Sequence, residues 1–258
     1  MSRTLYILRM SNSPDPVSAA SVRAPLVDAA TPVASTPWSR LAPAMCARPG
    51  LLIVLGVALA AAGRPLLWMN VLIIPIDVVT LLLVHRLLRA EGRGLADLLR
   101  PVRGGDIAWG LLCGLIVVLA WFPASFIAGL VAYRGPMPTA AYQSVPLWIA
   151  LVGVTIMPVT IGLAEEALYR GYLQPRLAGV LGQARAVIAA SAFFAVQHIA
   201  FAPFDPRAMV FGIVRTFLAG LVFAGLFLWR RRVMPLAVGH WLVDLLGLGL
   251  PLLLAALA

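Results

Sequence analysis

The sequence predicts an all-α membrane protein, a bundle of about seven transmembrane helices around a polar intramembrane cavity. Of its 258 residues, 62% are hydrophobic and only 12% are charged, and the mean hydropathy is +0.96. Soluble domains contain about 45–50% apolar and about 25% charged residues. The apolar residues also fall into successive runs close to the ~20 residues that a helix needs to cross a bilayer. A soluble fold of this length could not bury so much apolar surface.

The first 49 residues differ in composition from the rest of the chain. They are rich in Pro, Ser, Ala and Thr and lack sustained hydrophobic periodicity, which is typical of disorder. The stretch Leu5–Leu8 is too short for the apolar core of a signal peptide. We therefore predict a disordered cytoplasmic tail over residues 1–49 and a transmembrane domain over residues 50–258.

Apolar runs follow one another closely after this tail. The predicted spans are 51–67, 68–88, 107–132, 146–164, 186–203, 208–229 and 234–256. Residues 92–103 contain both apolar and basic residues, and we expect a short amphipathic helix at the membrane interface there.

Arginine accounts for the whole net charge of +10, since the chain has no lysine. The arginines cluster in the loops near residues 86–103, 170–185 and 230–232, whereas the loops near Arg134 and Arg207 hold one each. Cytoplasmic loops carry an excess of positive charge. With seven spans and a cytoplasmic N-terminus, all three arginine-rich loops lie on that side. Heavy use of Ala, Arg, Gly and Pro points to a GC-rich bacterial genome, hence to the inner membrane.

The sequence offers little support for nucleic-acid binding, for disulfide cross-links or for a cysteine-based zinc site. No basic face interleaved with aromatic residues is present, so we predict no nucleic-acid partner. Cys46 and Cys113 have neither the number nor the spacing of a disulfide framework or a zinc knuckle.

Five ionisable residues lie in or at the ends of predicted spans, where a charged side chain costs roughly 2.5–3.5 kcal/mol at mid-membrane. Each has an ordinary structural explanation: a helix-end salt bridge, a packing histidine, or a buried His–Asp hydrogen bond. Their convergence from three helices favours a functional site instead. The candidate catalytic residues are Glu165, Glu166, His198, His240 and Asp244.

Helical spacing predicts different roles for the two adjacent glutamates. Glu166 and Arg170 are i,i+4 neighbours in the favourable order for an ion pair. Glu165 points about 100° away and is left free to act as a base. His240 and Asp244 are also i,i+4 neighbours and share one helix face.

Two further charged residues fall inside predicted spans. Arg215 is expected either to receive the C-terminal carboxylate of a peptide through a bidentate contact or to pair with Asp244 or Glu165. Asp77, next to Pro75, is more simply explained as a structural hydrogen-bonding residue near a helix kink.

The ordered set of motifs resembles the CAAX prenyl endopeptidase family of intramembrane proteases, which also includes bacteriocin-processing and lysostaphin-resistance proteins. The motifs are Glu165-Glu166-Ala-Leu-Tyr-Arg170, then Phe194 to His198, then His240 to Asp244. The resemblance covers about residues 107–250, the expected protease-like core.

This resemblance implies an all-helical membrane fold whose cavity opens to the cytoplasm or to the membrane. It further implies proteolysis in which Glu165 and His198 activate water while His240 and residue 244 stabilise the oxyanion. An asparagine at 244 could donate a hydrogen bond to the oxyanion, but an ionised aspartate could not. Either Asp244 is protonated, or it orients His240, which donates instead; we favour the second. Arg170 and Arg215 are the predicted substrate-binding residues.

The need for a cofactor stays open at this point. Glu165, His198 and His240 could provide three ligands to a catalytic zinc ion with an open position. The compact His-Glu-x-x-His pattern is absent, however, and the family has been described both as metalloproteases and as metal-free glutamate enzymes. The cofactor is therefore unknown, with a divalent metal such as zinc as the candidate.

The predicted function is an intramembrane endopeptidase that cleaves a membrane-associated protein or peptide near its C-terminus. Its partners are the lipid bilayer and that substrate, for which prenylation is not assumed in a bacterium. The alternative is a non-catalytic membrane protein of the same fold that confers immunity or acts as a scaffold. A small transporter with acids as proton carriers is less favoured because no repeated half is present.

Overall fold

The computed structural model describes residues 33, 36–138 and 144–258. Every regular element in these ranges is helical. π-Helical turns at 166–173 and 245–249 join α6 to α7 and α10 to α11, and 3₁₀ turns at 66–68 and 197–201 precede α2 and follow α8. The helices are α1 Trp38–Ala61, α2 Met69–Arg89, α3 Leu95–Leu99, α4 Gly105–Tyr133, α5 Leu147–Thr155, α6 Met157–Glu165, α7 Gln174–Leu181, α8 Gln183–Val196, α9 Pro206–Arg230, α10 Val233–Asp244 and α11 Leu250–Leu257.

The length and composition of these helices agree with a membrane bundle. Six helical segments of the described chain are long and apolar enough to cross a bilayer. The bent pair formed by Leu147–Thr155 and Met157–Leu181, with 40° between its parts, makes a seventh if it is one span. Large apolar side chains cover the outer faces, for example Phe122 and Phe126 on α4. The predicted all-α fold with about seven spans is confirmed.

Helix α1 corrects the predicted start of the membrane domain. It begins at Trp38, so residues 38–49 are helical and the tail boundary at residue 49 is wrong. Pro43 and Pro49 suggested disorder, but both lie inside α1, where packing against neighbouring helices compensates for the backbone hydrogen bonds that proline removes. The break before α2 lies at residues 62–65 rather than at 67–68. Most of the predicted tail lies outside the described residues.

The fourth span is more broken than the sequence predicts. Instead of one helix over 146–164, α5 and α6 meet at Ile156, and a π-helical turn continues from Glu166 to Leu173. All eight residues of this turn are buried. π-Helical segments are frequent at functional sites, because they redirect side chains within a continuous helix. The predicted amphipathic helix at 92–103 is reduced to the five residues of α3.

The three arginine-rich loops lie at the same end of the bundle. Arg176 Nε donates to Glu91 Oε1 at 2.9 Å, which links the end of the fourth span to the loop after α2. Arg232 Nη2 donates to Asp106 Oδ2 at 2.9 Å and so links the α9–α10 turn to the start of α4. The prediction that these loops share one side is confirmed by these two ion pairs.

Small residues let α10 approach its neighbours closely. A Cβ on Gly162 of α6 would lie 2.8 Å from the carbonyl oxygen of Ala237, and one on Gly239 would lie 2.9 Å from the backbone of Gly114 in α4. Small residues at such contacts are typical of membrane helix interfaces. The close packing of α6 on α10 brings the acidic end of α6 beside the polar face of α10.

Candidate active site

Four elements contribute the five predicted catalytic residues. Glu165 ends α6 and Glu166 begins the π-helical turn, while His240 and Asp244 lie on α10. His198 lies in the 3₁₀ turn after α8. The side chain of Glu166 is fully buried, those of Glu165 and His240 are 5% and 6% exposed, and that of Asp244 is 12% exposed. His198 is partly buried and is the most exposed of the five, so access from outside the protein is greatest on the His198 side.

The His240 imidazole is held between three carboxylates. Its Nδ1 lies 2.8 Å from Oε1 of Glu166, a hydrogen-bonding distance. Its Nε2 lies 3.6 Å from Oε2 of Glu165 and 3.7 Å from Oδ2 of Asp244, too far for direct hydrogen bonds. The ring also stacks on Phe223, with centroids 4.8 Å apart. Glu166 is thus the carboxylate hydrogen-bonded to His240, whereas Asp244 lies beside the ring without a hydrogen bond to it.

The predicted Glu166–Arg170 ion pair is present. Arg170 Nη1 donates to Glu166 Oε1 at 2.9 Å, and Nη2 donates to the carbonyl of Gly220 at 3.3 Å. The guanidinium lies over the rings of Phe194 and Phe223, 4.6 and 4.9 Å from their centroids. Because Arg170 is only 1% exposed, it has no open face for the substrate contact predicted at this position.

Glu165 is not free, contrary to the prediction from helical spacing. Its Oε1 accepts hydrogen bonds from Arg48 Nη2 at 2.7 Å and from Gln197 Nε2 at 2.9 Å. Its Oε2 accepts none from the residues that the structure describes and faces His240. One oxygen of the carboxylate is therefore fixed, and the other is directed into the site.

Arg48 was missed because it lies in the predicted tail, and it is the centre of a buried network. Its guanidinium donates to Asp77 Oδ1 at 2.5 Å and to Gln197 Oε1 at 3.2 Å, besides Glu165. The Tyr169 hydroxyl also donates to Gln197 Oε1, at 3.0 Å. A single arginine directly before the apolar run at 51 was the available signal, since an ionisable residue within a span is a functional candidate.

His198 faces the same region from the other side of Phe194. Its Nδ1 lies 3.0 Å from the Phe194 carbonyl oxygen, which only accepts, so this nitrogen carries the proton. A neutral His198 then has its lone pair on Nε2. The Phe194 ring lies 5.2 Å from the His198 ring and 6.1 Å from that of His240. His198 is within electrostatic range of both Glu165 and His240.

Arg215 is held by aromatic rings rather than by acids. Its guanidinium lies 4.6 Å from the Trp121 ring and 4.8 Å from the Phe211 ring. No ion pair to Asp244 or Glu165 occurs in the described part of the chain, and its buried Nε has no hydrogen-bond partner there. Phe211 also borders a cavity of about 300 Å³, whose other lining residues are Ser125, Phe126, Gly129, Leu130, Gly135, Pro136 and Met137.

The candidate metal ligands do not fit a metal centre as they are arranged. Within residues 36–138 and 144–258, no three His, Cys, Asp or Glu side chains are grouped to hold an ion. Glu165 and His240 are close together, but Oε1 of Glu165 is bonded to Arg48 and Nδ1 of His240 is bonded to Glu166. We derive no step through a metal.

Comparison with known families bears on the same part of the chain. Residues 144–246 match the family model described as type II CAAX prenyl endopeptidase Rce1-like. This segment is Rce1-like. The Rce1-like segment contains all five predicted catalytic residues and both predicted substrate-binding arginines, whereas Arg48 and Asp77 lie outside it. The match covers less than half of the chain, and no curated protein or solved structure matches it.

The similarity of this segment to the Rce1-like family model confirms the resemblance to CAAX endopeptidases. The match thus supports, for residues 144–246, a similarity to membrane endopeptidases of the CAAX-protease type. The family match and the apolar helices together identify an integral membrane protein.

Proposed function

We propose that this protein is an intramembrane endopeptidase that uses Glu165 as general base and cleaves a membrane-associated protein or peptide. The observation that carries the proposal is the geometry of Glu165. Its Oε1 is fixed by two donors, while Oε2 lies 3.6 Å from Nε2 of His240. A separation of this size between two polar atoms suits a shared water or substrate oxygen.

In the proposed reaction, Glu165 and His198 polarise a water molecule between them. The water oxygen attacks the carbonyl carbon of the scissile peptide bond, and Glu165 takes the proton. The tetrahedral intermediate then collapses, the C–N bond breaks, and Glu165 returns the proton to the leaving amine. Water and the peptide bond are thus converted into a carboxylic acid and an amine without any other reactant.

His240 is proposed to stabilise the oxyanion of that intermediate. Glu166 accepts from Nδ1, which leaves Nε2 of an imidazolium to donate toward the developing negative charge. A donor held in place before the reaction loses no energy to reorientation in the transition state. Asp244, facing the same Nε2 at 3.7 Å, contributes negative charge that balances the imidazolium.

The test compares Glu165→Gln with a matched control, Glu91→Gln. Glu91 also pairs with an arginine, and it lies in the loop after α2, outside the site. Purified variants are incubated with a library of internally quenched peptides, and C-terminal peptides are compared in membranes that contain each variant. We expect cleavage by the wild type and by Glu91→Gln, and at least a ~10²-fold loss for Glu165→Gln.

Equal cleavage by the wild type and Glu165→Gln would overturn the role of Glu165. If folded wild-type protein produced no Glu165-dependent cleavage in either assay, the endopeptidase proposal would fail and the non-catalytic immunity or scaffold function would take its place.

A further inference from the structure

We propose that Arg48 is a positioning residue for the general base, so that the site is completed by α1, a helix outside the Rce1-like segment. This inference rests on the proposed function, because Arg48 acts through Glu165 and contacts no reacting atom. Its evidence is the set of hydrogen bonds that joins α1, α2, α6 and the 3₁₀ turn after α8.

The first part of the argument concerns the two oxygens of Glu165. A carboxylate whose oxygens are equivalent can rotate and present either one to the substrate. Here Arg48 and Gln197 both donate to Oε1, at 2.7 and 2.9 Å. Rotation by 180° about the terminal bond would exchange the two oxygens without moving the donors, but rotation by a smaller angle would break both bonds. The carboxylate plane is therefore fixed, with one oxygen always toward His240.

The second part concerns what fixes Arg48 itself. Its three donor groups have three different acceptors: Nη1 donates to Asp77, Nη2 to Glu165 and Nε to Gln197. Because the guanidinium is planar and rigid, three such contacts determine its position and its plane. Arg48, Asp77 and Gln197 are each 1% exposed or less. These contacts are thus shielded from bulk water.

The third part concerns Gln197, which connects the base to the helix that carries His198. Its Oε1 accepts from Arg48 and Tyr169, and its Nε2 donates to Glu165. With both acceptor contacts on the oxygen, the amide has only one orientation that satisfies every partner. Arg48 therefore also determines which end of Gln197 faces the base.

The experiment separates positioning from folding with a double variant. Arg48→Met alone leaves Asp77 as an unpaired buried charge and is expected to unfold at lower temperature. Arg48→Met/Asp77→Asn removes both charges of the pair. The matched control is Arg232→Met/Asp106→Asn, which removes another interhelical Arg–Asp pair far from the base. The probe is an internally quenched peptide that the wild type cleaves and Glu165→Gln does not, and each variant is assayed for Tm, kcat and KM.

We expect both double variants to fold with similar Tm, but only Arg48→Met/Asp77→Asn to lose activity. Its kcat should fall by about 100-fold with KM changed less than about threefold, since misplacement of a catalytic group by about 1 Å has an effect of this size. Arg48→Lys should fold yet lose kcat too, because one ammonium group cannot reach three acceptors at once.

Two results would overturn the positioning role: a wild-type kcat in Arg48→Met/Asp77→Asn, or, if that variant does not fold, a wild-type kcat in Arg48→Lys. In either case Glu165→Gln would still be inactive and the proposed function would stand. Cleavage that does not depend on Glu165 overturns the proposed function and the positioning role together.

Discussion

Among single residues, the adjacent glutamates Glu165 and Glu166 differ in the arginine that each one neutralises. If one glutamate became neutral, its arginine would either keep another carboxylate partner or lose its carboxylate partner. Arg48 contacts Asp77 as well as Glu165, so it keeps one carboxylate partner when Glu165 becomes a neutral amide. Arg170 has Glu166 as its carboxylate partner, and its other hydrogen bond goes to a backbone carbonyl. The two glutamates therefore have unequal effects on folding.

We predict that Glu166→Gln destabilises the protein more than Glu165→Gln does. Removing one charge of a buried pair costs about 3–5 kcal/mol, and both Glu166 and Arg170 are buried. Glu166→Gln should also lower activity, because His240 loses the carboxylate that orients it. Thermal unfolding in detergent measures the difference, with Glu166→Gln/Arg170→Met as the control that removes both charges. A lower Tm for Glu165→Gln than for Glu166→Gln would contradict this order.

At the scale of helices, the position of α1 depends on a glycine. A Cβ on Gly56 would lie 2.1 Å from the carbonyl oxygen of Ala200, in the turn that carries His198 and Gln197. This backbone contact lets α1 pack closely enough for Arg48, two helical turns earlier, to reach Gln197. The same helix contains Gly50, around which no other atom lies within 4 Å of an added Cβ.

Gly56→Ala is therefore expected to destabilise the protein by about 1–3 kcal/mol, the usual cost of overpacking, and to lower kcat by displacing Arg48. Gly50→Ala is the matched control in the same helix and should be neutral or stabilising by up to about 1 kcal/mol. Tm in detergent and kcat for the same quenched peptide are the measurements. Similar behaviour of the two variants would show that the close approach of α1 is unimportant.

At the scale of the whole molecule, the ion pairs at one end of the bundle and the distribution of arginine support a single orientation. Glu91, Arg176, Asp106 and Arg232 join the arginine-rich loops at that end. The segment around Arg134 follows the opposite end of α4, some 29 residues away along the helix. The positive-inside rule then predicts that the arginine-rich end is cytoplasmic.

Cysteine labelling tests this orientation in a variant that lacks Cys46 and Cys113. Single cysteines at Val102 and in the 230–232 turn should be protected from an impermeant reagent in intact cells and react after lysis. A cysteine at Met137, which is exposed in the structure, should react in intact cells. If the cysteine in the 230–232 turn reacts in intact cells while that at Val102 does not, the two positions lie on opposite sides of the membrane. The number of spans between them would then differ from the number in the bundle.

Features that depend on composition and on neighbours along one helix were predictable from the sequence alone. The apolar runs were sufficient to predict a membrane bundle and most of its spans, since crossing a bilayer requires a minimum apolar length. The i,i+4 spacing was sufficient to predict the Glu166–Arg170 ion pair, because helix geometry alone brings these residues together. The motifs at 165–170, 194–198 and 240–244 were sufficient to predict the resemblance to CAAX endopeptidases.

Features that depend on which helices are in contact were not predictable without the three-dimensional structure. Arg48 and Glu165 are separated by 117 positions, and His240 and Glu166 by 74, so no local pattern connects them. The prolines of α1 suggested a tail, but its packing against α2 and the 197–201 turn makes it part of the bundle and buries Arg48 among acceptors. Glu165 is consequently held rather than free, and His240 is hydrogen-bonded to Glu166 rather than to Asp244, because buried charges take the partners that neighbouring helices bring to them.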